Sequence, residues 1–292
     1  MSKHTLSIII PCYNEIENLP DVLPGIIAFC KEHQWSLIVV DDGSTDGSTA
    51  LLKKMETEET LLKVVRNKVN RGYGGAIKHG IEAADTYWVA TMDADGQHNL
   101  DDIVRLKELA EKEDADMVVG SRQGQRDASS YRRLGKWLIR TFTRSFLKIP
   151  IYDLNSGMKL YRRDLALRYL PTTPDNMSYS DIITLLFFCN HNLVLEEPIT
   201  IRPRLNGVST ISTRTAMDTV WEIANIILLF APLKFFLPPA LASILLGLVW
   251  SLRCILLNTA LSTGASFLIL FGALLLFLGM ITEQLARIRR CM

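Results

Sequence analysis

Residues 88–98, WVATMDADGQH, pass from an apolar run straight into two carboxylates separated by one alanine, Asp93 and Asp95. A short apolar run of this kind reads as a strand buried on both faces. In an extended segment, side chains two positions apart share a side, so both carboxylates are expected together beyond the strand's end. Two such groups with no neighbouring Lys or Arg repel one another unless a cation sits between them. Hard oxygen ligands suit Mg²⁺ or Mn²⁺. Gln97 offers a further oxygen, and His98 reads as a local hydrogen-bonding residue. Taken alone, the Asp pair is a weak signal for a metal, because such pairs are common at turns and caps.

Similar apolar runs lie on either side, at residues 6–10, 37–40, 62–65 and 117–119, and helix-like stretches separate them at 19–30, 48–54, 73–84 and 100–111. This alternation predicts an α/β domain with a mostly parallel sheet and helices on both faces. Ligands of such sheets bind beyond the carboxyl ends of the strands. The polar clusters fall there: 11–15, 41–46, 93–98, and Ser121 with Arg122. Asp41 and Asp42 read either as turn and cap residues or as acceptors for a nucleobase or ribose. The glycines of NRGYGGAIKHG, residues 70–80, read either as a phosphate cradle or as close helix packing.

The chain has 292 residues and a formal charge of +1, from 32 basic and 31 acidic side chains, so no global field points to nucleic acid. Its hydrophobic content of 48% suggests a membrane part. Glu283 is the single acid in residues 233–292. The five cysteines, Cys12, Cys30, Cys189, Cys254 and Cys291, form no CxxC pair, which speaks against a zinc site or disulfide framework and for a reducing compartment. The first apolar segment is too short for a signal peptide and reads as a strand.

Between 122 and 148, Arg133, Lys136, Arg140 and Arg144 recur at helical spacing beside Leu134, Trp137, Leu138 and Phe142. A basic amphipathic helix of this kind suits an anionic membrane surface, or else is a solvated helix on a core. Two apolar stretches near 235–257 and 265–282 approach the length that crosses a bilayer, and their short uncharged linker predicts a hairpin. Lys234 precedes the pair, and Arg287, Arg289 and Arg290 follow it. The positive-inside rule then puts both flanks, and the catalytic domain, in the cytoplasm. The expected organisation is a catalytic domain at 1–212, an interfacial segment at 213–232 and a two-span hairpin at 233–292. Arg253 within a span is compatible with association into a homo-oligomer.

The series SIIIPCYNE, VVDDGSTDG, NRGYGGAIKHG, MDADGQH and VGSR, in this order and spacing, resembles the family 2 glycosyltransferases of GT-A fold, and more narrowly the polyprenyl-phosphate sugar transferases related to dolichyl-phosphate mannose synthase. DLNSGM at 153–158, EPI at 197–199, RLNGVS at 204–209 and the terminal GMITE at 279–283 extend the likeness, and no QxxRW motif of the processive synthases is present. The resemblance implies that Pro11, Tyr13, Glu15 and Asp42 hold the donor nucleoside, with Val40 beside the base. It implies that Asp93, Asp95 and Gln97 bind the metal, with Ala94 against the nucleotide, and that Arg122 and Arg204 contact phosphates. Arg132 or Arg133 would grip the acceptor phosphate. Asp153 and Asp181 would orient the sugar or an arginine, or are caps. Where mannose synthase relatives often carry Lys after the Ser of RxxGxS, this chain has Thr210.

The activity implied is inverting, metal-dependent transfer of a hexose from UDP-glucose, GDP-mannose or a UDP-N-acetylhexosamine to a polyprenyl phosphate. A saccharide hydroxyl acceptor on the same fold is the alternative enzyme. A non-catalytic membrane scaffold is the alternative from another class.

Overall fold

The computed structural model describes residues 5–122, 151–201, 228–230, 232–257, 260 and 262–291. They fall into two compact units, one made by the described residues up to 201 and the other by those from 228 onward. The expected basic helix, the 204–209 segment and nearly all of 213–232 lie outside the described residues.

The first unit alternates strand and helix: β1 (Leu6–Cys12), α1 (Leu19–His33), β2 (Ser36–Asp41), α2 (Ser48–Glu58), β3 (Leu62–Arg66), α3 (Tyr73–Ala83), β4 (Trp88–Thr91), α4 (Leu100–Lys112) and β5 (Met117–Ser121). It continues with β6 (Lys159–Arg162), α5 (Arg163–Tyr169), α6 (Tyr179–Cys189) and β7 (Val194–Pro198). The sheet order is β3-β2-β1-β4-β6-β5-β7. Only β6 runs antiparallel to its neighbours, β4 and β5; the other pairs are parallel.

The two-residue period of β1 explains how it is covered. Leu6, Ile8, Ile10 and Cys12 join Leu19, Leu23 and Ile26 of α1 in one buried cluster, whereas Ile9 faces α3 beside Gly80. Each such aliphatic side chain contributes roughly 1.5–3 kcal/mol on burial. Because β1, β2, β4 and β5 share a direction, their carboxyl ends, at Cys12, Asp41, Thr91 and Ser121, open on one edge. Buried Asp102 of α4 accepts from Thr200 N at 3.0 Å and from Arg105, while Arg105 Nη2 donates to Pro198 O at 2.9 Å. These bonds dock the chain beyond β7 near that edge, where His98 and Ile201 form an isolated antiparallel bridge.

The second unit contains α7 (Pro232–Leu256) and α8 (Thr263–Cys291). Both are long and apolar enough to cross a membrane. Small residues line their contact: Ala240 and Ala265 are buried, and Ser243 Oγ donates to Leu268 O at 2.7 Å. Large apolar side chains point outward, among them Leu245, Leu248, Val249, Phe267, Leu270 and Leu274. An outer surface of that composition is costly in water and suited to lipid.

Candidate active site

β4 ends at Thr91, and Met92 N still donates to Ile9 O at 3.2 Å. Beyond it the chain does not stay extended, as the spacing of Asp93 and Asp95 predicted, but turns through Ala94–Gly96. Asp95 Oδ1 accepts from Gln97 N at 3.2 Å, an Asx turn that bends the segment. Asp95 and Ala94 are buried by that turn, while the Asp93 side chain is 38% exposed.

Asp93 is held from two sides. Tyr73 OH at the start of α3 donates to Oδ1 at 3.2 Å, and His98 Nε2 lies 3.5 Å from Oδ2. The surrounding protein pushes the Asp93 carboxyl up, but His98, by hydrogen bond and charge, together with Tyr73 and Arg122, outweighs it and leaves the group below its ordinary value. Burial, reinforced by the charge of Asp93, pushes the Tyr73 phenol well above its ordinary range, so it remains a donor. The third wall is Gly157. A Cβ there would sit 2.6 and 2.9 Å from the two Asp93 oxygens, so only glycine leaves room for this carboxylate. Gly157 O accepts from Thr91 Oγ1 at 2.8 Å, which fixes the wall to β4.

Arg122, just past β5, grips Asp153 with a two-pronged fork: Nε to Oδ2 at 2.6 Å and Nη2 to Oδ1 at 2.8 Å. Arg122 N donates to Asp153 Oδ2 at 3.1 Å and Nη2 reaches Asn155 O at 3.0 Å. Asp153 N in turn donates to Glu196 Oε1 at 2.8 Å, tying the loop to β7. Asp153 therefore pairs with an arginine, one of its three readings as a partner of the sugar, a partner of an arginine or a cap.

At the other end of the edge, Pro11 pairs with Val40 across β1 and β2. Tyr13 is exposed and Val40 is fully buried. Glu15 Oε2 accepts from Asn18 Nδ2 at 2.6 Å, ahead of α1. Asp41 is a turn residue, accepting from Ser44 N at 2.9 Å and Thr49 Oγ1 at 2.5 Å. Asp42 Oδ1 accepts from Asn67 Nδ2 at 2.6 Å and Arg71 N at 2.9 Å, and its Oδ2 from Gly72 N at 2.8 Å. Three of a carboxylate's roughly four acceptor sites are thereby used. The glycines after it serve packing: a Cβ on Gly74 would fall 2.5 Å from Pro174 O, and Gly75 N donates to Asp175 O at 3.0 Å. Asp42 and Asp93 are thus linked through adjacent residues, Gly72 and Tyr73.

One functional candidate had no signal in the sequence. Lys159, at the start of β6, is fully buried, and its Nζ donates to Leu154 O at 2.8 Å and Ser180 O at 2.6 Å. Burial pushes its amine down to about 7 against the opposing charges of Asp181, Asp153 and Asp93. Tyr73, His98 and Gly157 also take part, although the sequence alone does not mark them as site residues. Asp181 is buried in the first turn of α6. Arg132, Arg133 and Arg204 lie outside the described residues.

Among the described residues no three His, Cys, Asp or Glu side chains converge on a metal position. The donor set at the strand end is carboxylate oxygen, with Gly157 clearing space at Asp93. That chemistry fits Mg²⁺ or Mn²⁺ bound by few protein ligands, the remaining positions going to water and phosphate oxygens.

A doubly covered sheet with carboxylates and an arginine at one carboxyl edge, followed by an apolar hairpin, is the architecture of a GT-A glycosyltransferase with a two-span membrane element. The model of glycosyl transferase family 2 matches residues 7–170, and that of the GtrB C-terminal hairpin matches 231–288. The chain belongs to glycosyl transferase family 2 and is a glycosyltransferase. It is 29% identical over 267 residues to the undecaprenyl-phosphate 4-deoxy-4-formamido-L-arabinose transferase of Pseudomonas fluorescens (strain Pf0-1), covering 89% of this chain and 76% of the relative. It is 31% identical over 228 residues to the polyprenol monophosphomannose synthase of Mycolicibacterium smegmatis (strain ATCC 700084 / mc(2)155), covering 75% of this chain and 85% of the relative. Its fold is also that of glucosyl-3-phosphoglycerate synthase from Mycobacterium tuberculosis, crystallised with Mn²⁺, UDP and glucosyl-3-phosphoglycerate. The TM-score is 0.60 at 17% identity, over 77% of this chain and 79% of that one.

Proposed function

We propose that this enzyme transfers a hexose from a nucleotide sugar to a polyprenyl phosphate, with inversion at the anomeric carbon. The observation that carries the reading is the presence, in one chain, of the Asp93–Asp95 strand end and an outward-apolar helical hairpin. Relatives named for undecaprenyl phosphate and polyprenol acceptors support it.

In the reaction an oxygen of the acceptor phosphate attacks the anomeric carbon. A new carbon–oxygen bond forms as the bond to the donor's diphosphate breaks, and the nucleoside diphosphate leaves with that electron pair. A phosphate monoester has a second pKa near 6, so the nucleophile is largely ionised at neutral pH and needs no strong base. Pro11, Tyr13, Glu15 and Asp42, with Val40 in the wall, hold the nucleoside. Asp93 and Asp95, with Gln97, would hold Mg²⁺ or Mn²⁺, which when bound neutralises charge on the departing diphosphate. Arg122, aimed by Asp153, and Arg204 contact phosphates, while Arg132 or Arg133 takes the acceptor's. Asp181 orients the sugar. Bringing two anions together requires such fixed cations, and positioning supplies much of the rate.

Residues 1–212 form the catalytic domain, on the cytoplasmic side of a hairpin at 233–292, with 213–232 along the interface. The test is a donor screen on the full chain in lipid nanodiscs, with undecaprenyl phosphate, Mg²⁺ or Mn²⁺, and UDP-glucose, GDP-mannose or UDP-N-acetylglucosamine. A lipid-phosphate-linked hexose is expected with one donor. Transfer only to a saccharide hydroxyl would overturn the acceptor assignment.

A further inference from the structure

Lys159 is a cation that neither the fold nor the reaction obviously requires. Removing an ammonium from water costs several kcal/mol, and a well-packed apolar side chain of similar volume is often neutral or better in such a place. Its surroundings say what it does. The Lys159 backbone pairs with Thr91 of β4 on one side and Val119 of β5 on the other. Those strands lead, within a few residues, to Asp93 and Arg122. The side chain spans the remaining gap: Leu154 O belongs to the loop that carries Asp153 and Gly157, and Ser180 O precedes Asp181 in α6. One residue therefore joins the four segments that bear Asp93, Arg122, Asp153 and Asp181.

We propose that Lys159 is a positioning residue for sugar transfer, pinning the Asp153 loop to the start of α6 so that Arg122 and Asp181 keep their geometry around the reacting sugar. This inference rests on the function proposed above. Lys159 reaches no substrate group directly; its two carbonyl partners are main-chain atoms. Without it, Leu154 O loses this donor while Ser180 O keeps Thr184 Oγ1 at 3.0 Å, so the loop behind the Arg122–Asp153 fork is released from α6. The nucleoside end is held by bonds in which Lys159 takes no part, those of Asp42 to Asn67, Arg71 and Gly72. Loss of Lys159 is therefore expected to act on kcat and spare nucleotide affinity.

The experiment compares wild type with Lys159→Met in nanodiscs. It measures kcat and KM with undecaprenyl phosphate and the donor found in the screen, and Mn²⁺-supported binding of the matching nucleoside diphosphate. A shift of a few tenths of an ångström to 1 Å in the fork is expected to lower kcat roughly 10- to 100-fold, with nucleotide affinity within about threefold of wild type. Wild-type kcat in the variant would overturn the proposal, as would a parallel loss of kcat and nucleotide affinity, which marks a purely structural role. If Lys159→Met is recovered unfolded, Lys159→Gln, which keeps a shorter donor, is held to the same two criteria. A wild type inactive on undecaprenyl phosphate would instead sink the function on which the inference rests.

Discussion

Arg122 and Asp153 meet in a parallel fork, with Nε–Oδ2 at 2.6 Å and Nη2–Oδ1 at 2.8 Å, and the same Oδ2 also takes the arginine's own backbone N–H. A guanidinium so tied cannot rotate freely, and its remaining donors face a fixed direction. Arg122→Lys and Asp153→Asn are each expected to lower kcat by about 10- to 100-fold, because a lysine offers no planar fork and an asparagine no charge. Since both remove one unit, the double variant should be far less damaged than the product of the two. A kinetic double-mutant cycle checks this, with a coupling of about 1–3 kcal/mol expected and additive effects counting against it.

Gly157 leaves room for the Asp93 carboxylate, and Thr91 holds its carbonyl in place. Gly157→Ala should push Asp93 aside without unfolding the domain, because the clash falls on the partly exposed end of a side chain. The expected outcome is a Mn²⁺ requirement raised about tenfold, with most activity recovered at saturating metal. Titration of activity against free Mn²⁺ after EDTA treatment reads this directly. Full wild-type activity in EDTA alone would remove the metal from the account altogether.

Lys159 ties stability to pH. Its amine titrates near 7 when folded and near 10.5 when the chain is open. Below about 7 both states carry the proton, and between the two values the unfolded chain binds it while the folded chain does not. Stability therefore rises with pH across that window as far as this residue is concerned, and the penalty of the buried ammonium is greatest on the acid side. The difference in melting midpoint between wild type and Lys159→Met should move in favour of wild type from pH 7 to 9. A difference independent of pH would show that Lys159 does not titrate there.

The strands that frame the site were legible because β1, β2, β4 and β5 are apolar runs that end abruptly in polar residues. β6 was not. It has four residues, begins with Lys and ends with Arg, and its burial comes from lying between β4 and β5, which no local pattern records. A lysine in a sequence reads as solvated, so Lys159 carried no signal. The bond between Arg122 and Asp153 spans 31 positions and depends on the loop before β6 folding back beneath β5. Asp93 and Asp95 lie beyond a buried strand, as their pattern predicts, but the Asx turn at Asp95 replaces the extended segment that the same pattern implies. The glycines at 72–75 had two readings, and only the closeness of Pro174 and Asp175 separated packing from phosphate binding.

The hairpin makes a prediction about sidedness. Lys234 begins α7 and Arg287 lies near the end of α8, while the turn between the helices contains Ala260 and Ser262 and no charge. The positive-inside rule predicts that the two basic ends stay with the catalytic domain in the cytoplasm and that the turn faces the opposite side. A single cysteine at Ser262→Cys, with the five native cysteines replaced, should react with a membrane-impermeant maleimide from outside intact cells. A cysteine at Arg287→Cys in the same background should react only after the membrane is opened. Labelling of Ser262→Cys exclusively from the cytoplasmic side would mean that the hairpin is inverted. The catalytic edge would then face away from any cytoplasmic nucleotide sugar, so the orientation and the donor assignment stand or fall together in this measurement.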